Sequence, residues 1–172
     1  MNIHNIIISI GGNIKSKDGS HPIHVAKKAI NCLEDYSIQV TNQSSWYETE
    51  PIPKSDQPNY FNCVVFAKTT LNELNVLNSL HDIENIFGRR RLTVNEDRVI
   101  DLDLIDYSNK ILSNKEIVIP HPRAHQRRFV MEPLAELDKN WFHPILKINI
   151  KKILNGLNDQ NIKIFNEKEI LI

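Results

Sequence analysis

Two aspartates lie two positions apart in a stretch of alternating apolar residues, Arg98-Val99-Ile100-Asp101-Leu102-Asp103-Leu104. If this stretch is a β-strand, Asp101 and Asp103 face the same side and lie about 7 Å apart along it, with the apolar residues turned to the core. Carboxylate oxygens are ligands that Mg²⁺ prefers, and two like charges at this spacing repel each other unless a cation joins them. The pair therefore indicates a magnesium site, and a solvated strand face is the alternative that the spacing leaves open.

An arginine-rich segment precedes the acidic strand. Arg89, Arg90 and Arg91 follow Gly88, and Arg98 closes the segment immediately before the strand. A guanidinium group matches the geometry of phosphate oxygens, and polyphosphate transfer depends on divalent metal and arginine contacts. The combination favours a nucleotide ligand, whereas a solvated loop whose arginines neutralise nearby aspartates is the competing interpretation. The sequence has no Walker P-loop, so ATP would bind by another route.

The spacing of apolar residues predicts the elements that must hold these groups. Strands are predicted where β-branched or alternating residues run together, at 5–10, 38–47, 60–69, 99–107 and 162–165. Helices are predicted where apolar residues recur at three- and four-residue spacing, at 21–35, 71–87, 130–137 and 150–157. From 5 to 107 the order is β-α-β-β-α-β, which predicts an α+β, ferredoxin-like fold with an antiparallel-rich sheet and helices packed on one face.

The second helix carries a start signal. Thr70 is followed three residues later by Glu73, which is the pattern of a capping box. Gly88 is placed to end the same helix. This helix is therefore expected to begin beside Thr70.

Composition and charge exclude several classes of protein. The 21 Lys and Arg residues balance 21 Asp and Glu residues, which disfavours binding to nucleic acid or to an anionic membrane. No apolar run approaches the roughly 20 residues of a membrane helix, and the N-terminal residues lack the pattern of a secretory signal. Cys32 and Cys63 lack CxxC spacing, which favours buried thiols in a reducing compartment. We expect a cytoplasmic monomer with small-molecule partners and no nucleic-acid or membrane partner.

Several motifs resemble, in the same order, those of the hydroxymethyldihydropterin pyrophosphokinase family. The matching segments are 9–14, 44–51, 56–62, 98–104, 120–123 and 127–129. The string Asp-Gln-Pro-x-Tyr-x-Asn at 56–62 is distinctive, and the resemblance extends to about Trp141. The length and apolar content of the chain predict one domain over 1–172. The resemblance implies that this is a pyrophosphokinase domain, in which about 142–172 is a C-terminal extension.

The resemblance also implies a reaction. The family transfers pyrophosphate from ATP to 6-hydroxymethyl-7,8-dihydropterin in folate biosynthesis, giving the pterin diphosphate and AMP. The pterin hydroxymethyl oxygen would attack the β-phosphorus of ATP in line. Two Mg²⁺ ions would be the cofactors, and ATP and the pterin alcohol would be the small-molecule partners.

Particular residues acquire roles from the same resemblance. Asp101 and Asp103 would bind the metal ions and, with Arg89 and Arg98, would carry catalysis. ATP would be bound by Glu84, Arg89, Arg91, Arg98, His121 and Arg127. The pterin would be bound by Thr49, Pro51, Ile52, Tyr60, Asn62 and Phe129. In this set Tyr60 and Phe129 would stack on the ring, and Asn62 would read its pyrimidine-like edge.

Taken singly, several of these residues have plainer interpretations. Tyr60 and Phe129 are also compatible with ordinary core aromatics, Asn62 with a strand-edge polar residue and His121 with a turn residue. The segment 88–98 lacks a tryptophan that members of the family often carry there, so we expect it to close over the site through arginine–phosphate contacts.

Two other functions stay open on the sequence. Another D-x-D metal enzyme, such as a nucleotidyltransferase, would share the metal ions but lack a pterin pocket. A non-catalytic ferredoxin-like RNA-binding module would need exposed aromatic residues on the sheet and a net basic charge.

Overall fold

The computed structural model describes residues 2–51, 55–87 and 99–171. Its strands, in chain order, are β1 (His4–Gly12), β2 (Ile38–Gln43), β3 (Tyr47–Thr49), β4 (Tyr60–Thr69), β5 (Asp101–Tyr107), β6 (Leu112–Ser113), β7 (Val118–Ile119) and β8 (Ile162–Ile164). Its α-helices are α1 (Pro22–Cys32), α2 (Glu73–Ile86), α3 (Arg128–Leu137) and α4 (Ile150–Asn155). Short 3₁₀ turns follow α1, precede α3 and end the described chain, at Glu34–Tyr36, Ala124–Gln126 and Glu167–Leu171.

The main sheet has the strand order β5-β1-β4-β3-β8, and β2 pairs with β4 beside β3. Its pairings are antiparallel. The predicted βαββαβ order and the α+β class are confirmed. The short hairpin of β6 and β7 forms a second sheet that the sequence did not predict.

The segment predicted as one strand at 38–47 is divided into β2 and β3. Ser44 lies between them and is buried. Its backbone N donates to the Val64 carbonyl at 3.0 Å, and its hydroxyl accepts from the Val64 backbone N at 3.0 Å. The side chain therefore takes the place of a backbone acceptor at this point, and the chain can bend without leaving a buried amide unpaired.

Helices cover both faces of the sheet, so the prediction of helices on one face is wrong. In β1, Ile6, Ile8 and Ile10 belong to a core that includes residues of α1 and α2. Ile7 belongs to a separate core with residues of α3 and α4. A central strand with apolar side chains on both sides must be covered on both sides, because either face left exposed would place isoleucine in water.

The start of α2 also differs from the prediction. Asn72 is its N-cap, and its side chain accepts a hydrogen bond from the Asn75 backbone N at 2.8 Å. Thr70 lies two residues earlier and is exposed, and Glu73 pairs with Lys110. The predicted Thr70–Glu73 capping box is therefore wrong, because asparagine two residues further on supplies the cap.

Asn72→Ala should lower the free energy of unfolding by about 1 kcal/mol, since it leaves an amide of the first turn of α2 without its cap. For a chain of this size that corresponds to a melting temperature lower by roughly 2–4 °C. Thr70→Ala is the matched control and should change stability little. Thermal melts of both variants decide the point, and a larger loss for Thr70→Ala would contradict the assignment.

Candidate active site

The register of three strands brings two predicted groups into one row. Asp101 on β5 pairs with Gly11 on β1, and Gly11 pairs on its other side with Asn62 on β4. Leu102 and Cys63, their neighbours in sequence, belong to the core under α1 and α2. Because side chains alternate along a strand, Asp101 and Asn62 project from the other face of the sheet, away from α1 and α2. Two strand spacings separate them, which is about 10 Å.

Gly11 is the residue that keeps the middle of this row open. A Cβ atom at this position would lie 2.6 Å from Oδ1 of Asn62. That separation is too short for any side chain, so glycine is required if the Asn62 amide is to keep its place. The amide is itself held on its other side, because Nδ2 of Asn62 donates to Oγ1 of Thr49 at 3.0 Å.

Asp103 lies in the next row and contacts two basic residues. Its Oδ2 is 3.5 Å from Nη1 of Arg127, and its Oδ1 is 3.9 Å from Nε2 of His121. The backbone N of His121 donates to the Ile105 carbonyl at 2.9 Å, which places this segment along the outer edge of β5. The structure thus brings together Asp103, His121 and Arg127, three residues that the family resemblance assigns to one site.

Burial lowers the pKa of His121 below its usual value, although the Asp103 carboxylate opposes this shift. Nδ1 of His121 accepts from the Arg123 backbone N at 3.3 Å. An acceptor Nδ1 requires the proton of a neutral imidazole to lie on Nε2, on the side of Asp103. His121 is therefore suited to donating a hydrogen bond from Nε2 towards an anion in this site.

Glu84 supports the strand that carries the aspartates. It lies on α2, is 1% exposed, and its Oε1 accepts from the Leu102 backbone N at 2.7 Å. Leu102 stands between Asp101 and Asp103 on a strand at the edge of the sheet. The carboxylate thus takes the place of a missing neighbouring strand. That Glu84 also contacts ATP stays a prediction.

A cavity of about 190 Å³ opens beside Asp103. Its walls come from α2, β5 and the segment 116–122, and they include Leu77, His81, Leu104, Ile117 and His121. Except for His121, the sequence did not single out these residues for a site. Apolar residues such as Leu77 and Leu104 have the spacing of core positions, so no pattern distinguishes a cavity wall from a packed core.

Two of the residues predicted to bind the pterin lie beside Asn62, since Thr49 accepts from its amide and Tyr60 pairs with Thr49 in the sheet. Thr49 and Pro51 are buried, and Tyr60 is half-buried with its hydroxyl 3.2 Å from Oε1 of Gln57. Phe129, half-buried at the start of α3, has the Arg127 guanidinium 5.5 Å from its ring centre. Stacking of a ligand between Tyr60 and Phe129 stays a prediction.

Glu136 at the other end of α3 joins this helix to β3. Its Oε1 accepts from the backbone N and the hydroxyl of Ser45, at 2.9 and 3.0 Å. Its Oε2 accepts from the Tyr47 hydroxyl at 2.7 Å, and Tyr47 pairs with Asn62 in the sheet register. Burial, followed by the hydrogen bond to Glu136, raises the pKa of Tyr47, so the phenol remains a donor.

Some predicted residues fall outside the described parts of the chain. These are Ile52, Arg89, Arg91 and Arg98, together with the whole segment 88–98 that we expect to close over the site.

The donor set suits a magnesium–nucleotide complex. Within 2–51, 55–87 and 99–171, no group of three or more His, Cys, Asp or Glu side chains is arranged to hold a metal ion. Mg²⁺ commonly takes one or two carboxylates and completes its shell with water and substrate phosphates. Asp101 and Asp103, both half-buried on one strand face, fit that requirement.

The sequence was compared with known families. The profile of the 7,8-dihydro-6-hydroxymethylpterin-pyrophosphokinase (HPPK) family matches residues 7–139. The chain belongs to this family. The match includes the acidic strand, the Asn62 strand and the segment with His121 and Arg127, and it ends close to the Trp141 limit expected from the motifs.

Individual relatives agree with this assignment. A 2-amino-4-hydroxy-6-hydroxymethyldihydropteridine pyrophosphokinase of Haemophilus influenzae is 34% identical over 91% of this chain and 96% of its own length. One of the same name from Bacillus subtilis is 34% identical over 76% of this chain and 75% of its own length. The folic acid synthesis protein fol1 of Pneumocystis carinii is 32% identical over 92% of this chain, which spans only 21% of that protein.

Solved structures support the fold. A wild-type Plasmodium falciparum HPPK-DHPS crystal structure with STZ-DHP superposes with a TM-score of 0.70 at 14% identity, over 90% of this chain and 43% of that one.

The predicted pterin pyrophosphokinase of folate synthesis, with ATP as co-substrate, is confirmed by the family and its relatives. They do not favour a different nucleotidyltransferase or an RNA-binding module.

Gly11→Ala should weaken pterin binding, because its methyl group would displace the Asn62 amide. Loss of the paired amide corresponds to about 1–3 kcal/mol, or roughly 5- to 150-fold in the dissociation constant. Calorimetric titration of the pterin alcohol into protein saturated with Mg²⁺ and a non-hydrolysable ATP analogue measures this.

Gly156→Ala is the control, since a Cβ there lies 3.4 Å from the Ile153 carbonyl and its φ of −85° suits alanine. Affinity for the ATP analogue should be unchanged in both variants. Native pterin affinity in Gly11→Ala would contradict the place given to Asn62.

Proposed function

We propose that this chain performs the family reaction with Asp101 and Asp103 holding two Mg²⁺ ions at one end of the row and Asn62 holding the pterin at the other. The observation that carries the proposal is the Asp101–Gly11–Asn62 register. Pyrophosphoryl transfer is chiefly a matter of placing an alcohol in line with a phosphorus atom. A heterocycle paired with Asn62 and extending over Gly11 would bring its hydroxymethyl group towards the carboxylates.

The metal ions, when bound, would neutralise charge on the phosphates and on the attacking and leaving oxygens. The protein would contribute positioning. Arg127 lies 3.5 Å from Asp103 and would contact a phosphate bound beside it, and neutral His121 would donate to the same phosphate from Nε2. Charge-assisted contacts of this kind hold a phosphate more firmly than neutral ones. We assign no general base, because the reaction depends mainly on alignment and charge.

The nucleotide base would lie in the 190 Å³ cavity beside Asp103. Leu77 and Leu104 offer apolar surface to a flat ring, and His81 and Glu116 offer polar groups at its rim. This would leave the phosphates directed at Asp103, His121 and Arg127. Arg89, Arg91 and Arg98 would then complete the phosphate contacts, with Arg89 and Arg98 taking part in catalysis.

On the pterin side, the Asn62 amide would donate to and accept from the ring edge, as the held orientation of its side chain allows. Tyr60 and Phe129 would stack on the two ring faces, and Thr49, Pro51 and Ile52 would form the wall. A buried amide of this kind favours ligands that satisfy both its donor and its acceptor.

We also propose that 1–172 is one domain. The C-terminal segment supports this, because β8 pairs with β3 and Nζ of Lys163 lies 2.8 Å from Oε2 of Glu48. Ile150 and Ile153 of α4 share a core with α3.

In the described parts of the chain, no helix has the length and apolar character needed to span a membrane. A monomeric, cytoplasmic protein without nucleic-acid partners stays a prediction.

Product analysis tests the reaction. With ATP, Mg²⁺ and 6-hydroxymethyl-7,8-dihydropterin, we expect AMP and the pterin diphosphate in equal amounts. A nucleotidyltransferase would release inorganic pyrophosphate and attach the nucleotide to the acceptor, and that product pattern would refute the proposal. An RNA-binding module would turn over neither substrate.

Asp101→Asn and Asp103→Asn should each fold normally and lose activity by about 100-fold or more, because each removes a charge at which transition-state charge is stabilised. Both side chains lie on a half-exposed strand face, so their loss opens no cavity in the core. Asp82→Asn, on the exposed side of α2, is the control. Melting curves and turnover over a range of Mg²⁺ concentrations measure the effect. Near-native turnover of either variant at ordinary Mg²⁺ would contradict the assignment of that aspartate as a metal ligand.

A further inference from the structure

Helix α3 begins between two residues that the proposed site uses. Arg127, its N-cap residue, lies 3.5 Å from Asp103, and Phe129 is the second residue of the helix. The first amides of a helix lack partners within it and are usually capped by the N-cap side chain. Arg127 has no acceptor atom in its side chain and makes no such cap. The cap must therefore come from elsewhere.

Gln160 supplies it from the C-terminal segment, beyond the residues 7–139 that the family profile matches. Its Oε1 accepts from the Arg128 backbone N at 2.8 Å. Its Nε2 donates to the Gln126 carbonyl at 2.9 Å. One amide side chain thus holds the backbone immediately before and immediately after Arg127.

A third contact strengthens the attachment. Nη1 of Arg128 donates to the Gln160 carbonyl at 3.5 Å, and Nε of Arg128 is bound to Oε2 of Glu132 at 2.9 Å. The Arg128 side chain is therefore directed to the C-terminal segment and to its own helix. This leaves the neighbouring Arg127 side chain on the side of Asp103.

We propose that Gln160 is a positioning residue, which sets the backbone on both sides of Arg127 and thereby aims Arg127 at the ATP phosphates and Phe129 at the pterin. The inference rests on the proposed function of those two residues. It assigns a role in ligand binding to the C-terminal segment, to which the sequence assigned no chemistry. An asparagine or serine at the N-cap could cap the helix itself, but it could not also contact phosphate as an arginine does.

The test compares Gln160→Ala with Asn158→Ala as the matched control. Nδ2 of Asn158 donates to the Asn155 carbonyl at 3.0 Å, so this variant disturbs the same C-terminal turn without touching 126–128. Calorimetry at a temperature where both variants are folded measures the affinity for a non-hydrolysable ATP analogue with Mg²⁺, and then for the pterin alcohol. We expect Gln160→Ala to weaken both by about 3- to 10-fold, the size of a lost helix cap, and Asn158→Ala to weaken neither.

A double-mutant cycle separates positioning from general destabilisation. If Gln160 acts on ATP through Arg127, Gln160→Ala should cause no further loss of ATP affinity in an Arg127→Ala background. Equal losses in both backgrounds, equal effects of Gln160→Ala and Asn158→Ala, or native affinity in Gln160→Ala would each overturn the inference while leaving the proposed function intact. A wild-type chain that binds neither ligand would overturn the proposed function, and this inference with it.

Discussion

The antiparallel register of β5, β1 and β4 determines where each proposed ligand group lies. Asp101, Gly11 and Asn62 share a row only in this register. A slip of one residue would turn both carboxylates of β5 into the core under α1 and α2, since side chains alternate along a strand. Leu102 and Leu104 of β5 oppose that slip, because it would move both leucines out of this core and place the carboxylates in it.

The outer edge of β5 is the second constraint. An edge strand leaves backbone groups without a strand partner, and here Glu84 accepts from Leu102 while His121 donates to Ile105. These contacts join α2 and the His121 segment to the strand that carries both aspartates. Residues from three distant parts of the sequence that we predict to bind ligands are therefore attached to one edge, and the walls of the cavity beside Asp103 come from the same three parts.

Helix α3 joins the two ends of the proposed site. Its first turn carries Phe129 and follows Arg127, and its last turn is attached to β3 through Glu136. Gln160 holds the first turn from outside the helix. A helix held at both ends keeps Arg127 and Phe129 at a fixed distance from the sheet, and such pre-organisation would favour the phosphate and pterin contacts that we propose for them.

Much of this arrangement was predictable from the sequence. Strand β4 was predicted with its observed ends, and the same-side placement of Asp101 and Asp103 follows from strand alternation. The cover on both faces was missed, although a run of isoleucines interrupted only by Ser9, from Ile6 to Ile10, is typical of a strand buried on both sides. The start of α2 was misplaced because Thr70 and Asn72 are both good capping residues, and local pattern does not choose between them.

Contacts between distant residues were beyond local pattern. Gln160 and Arg128 are 32 positions apart, and nothing in the sequence around Gln160 marks a helix cap. The family resemblance assigned Glu84 to ATP binding, but local pattern gave no sign that its carboxylate is buried against the Leu102 backbone N, which only the fold shows. Such groups are recognisable once the backbone amides they must satisfy have been placed.

The distance between the metal site and the bound pterin tests the central claim most directly. In a complex with Mn²⁺ in place of Mg²⁺, a non-hydrolysable ATP analogue and the pterin alcohol, paramagnetic relaxation of the pterin protons measures that distance. We expect the hydroxymethyl protons to relax fastest and to lie within about 10 Å of the metal, the span of two strand spacings. Hydroxymethyl protons at three strand spacings or more, about 15 Å, would contradict the arrangement of Asp101, Gly11 and Asn62 as one site.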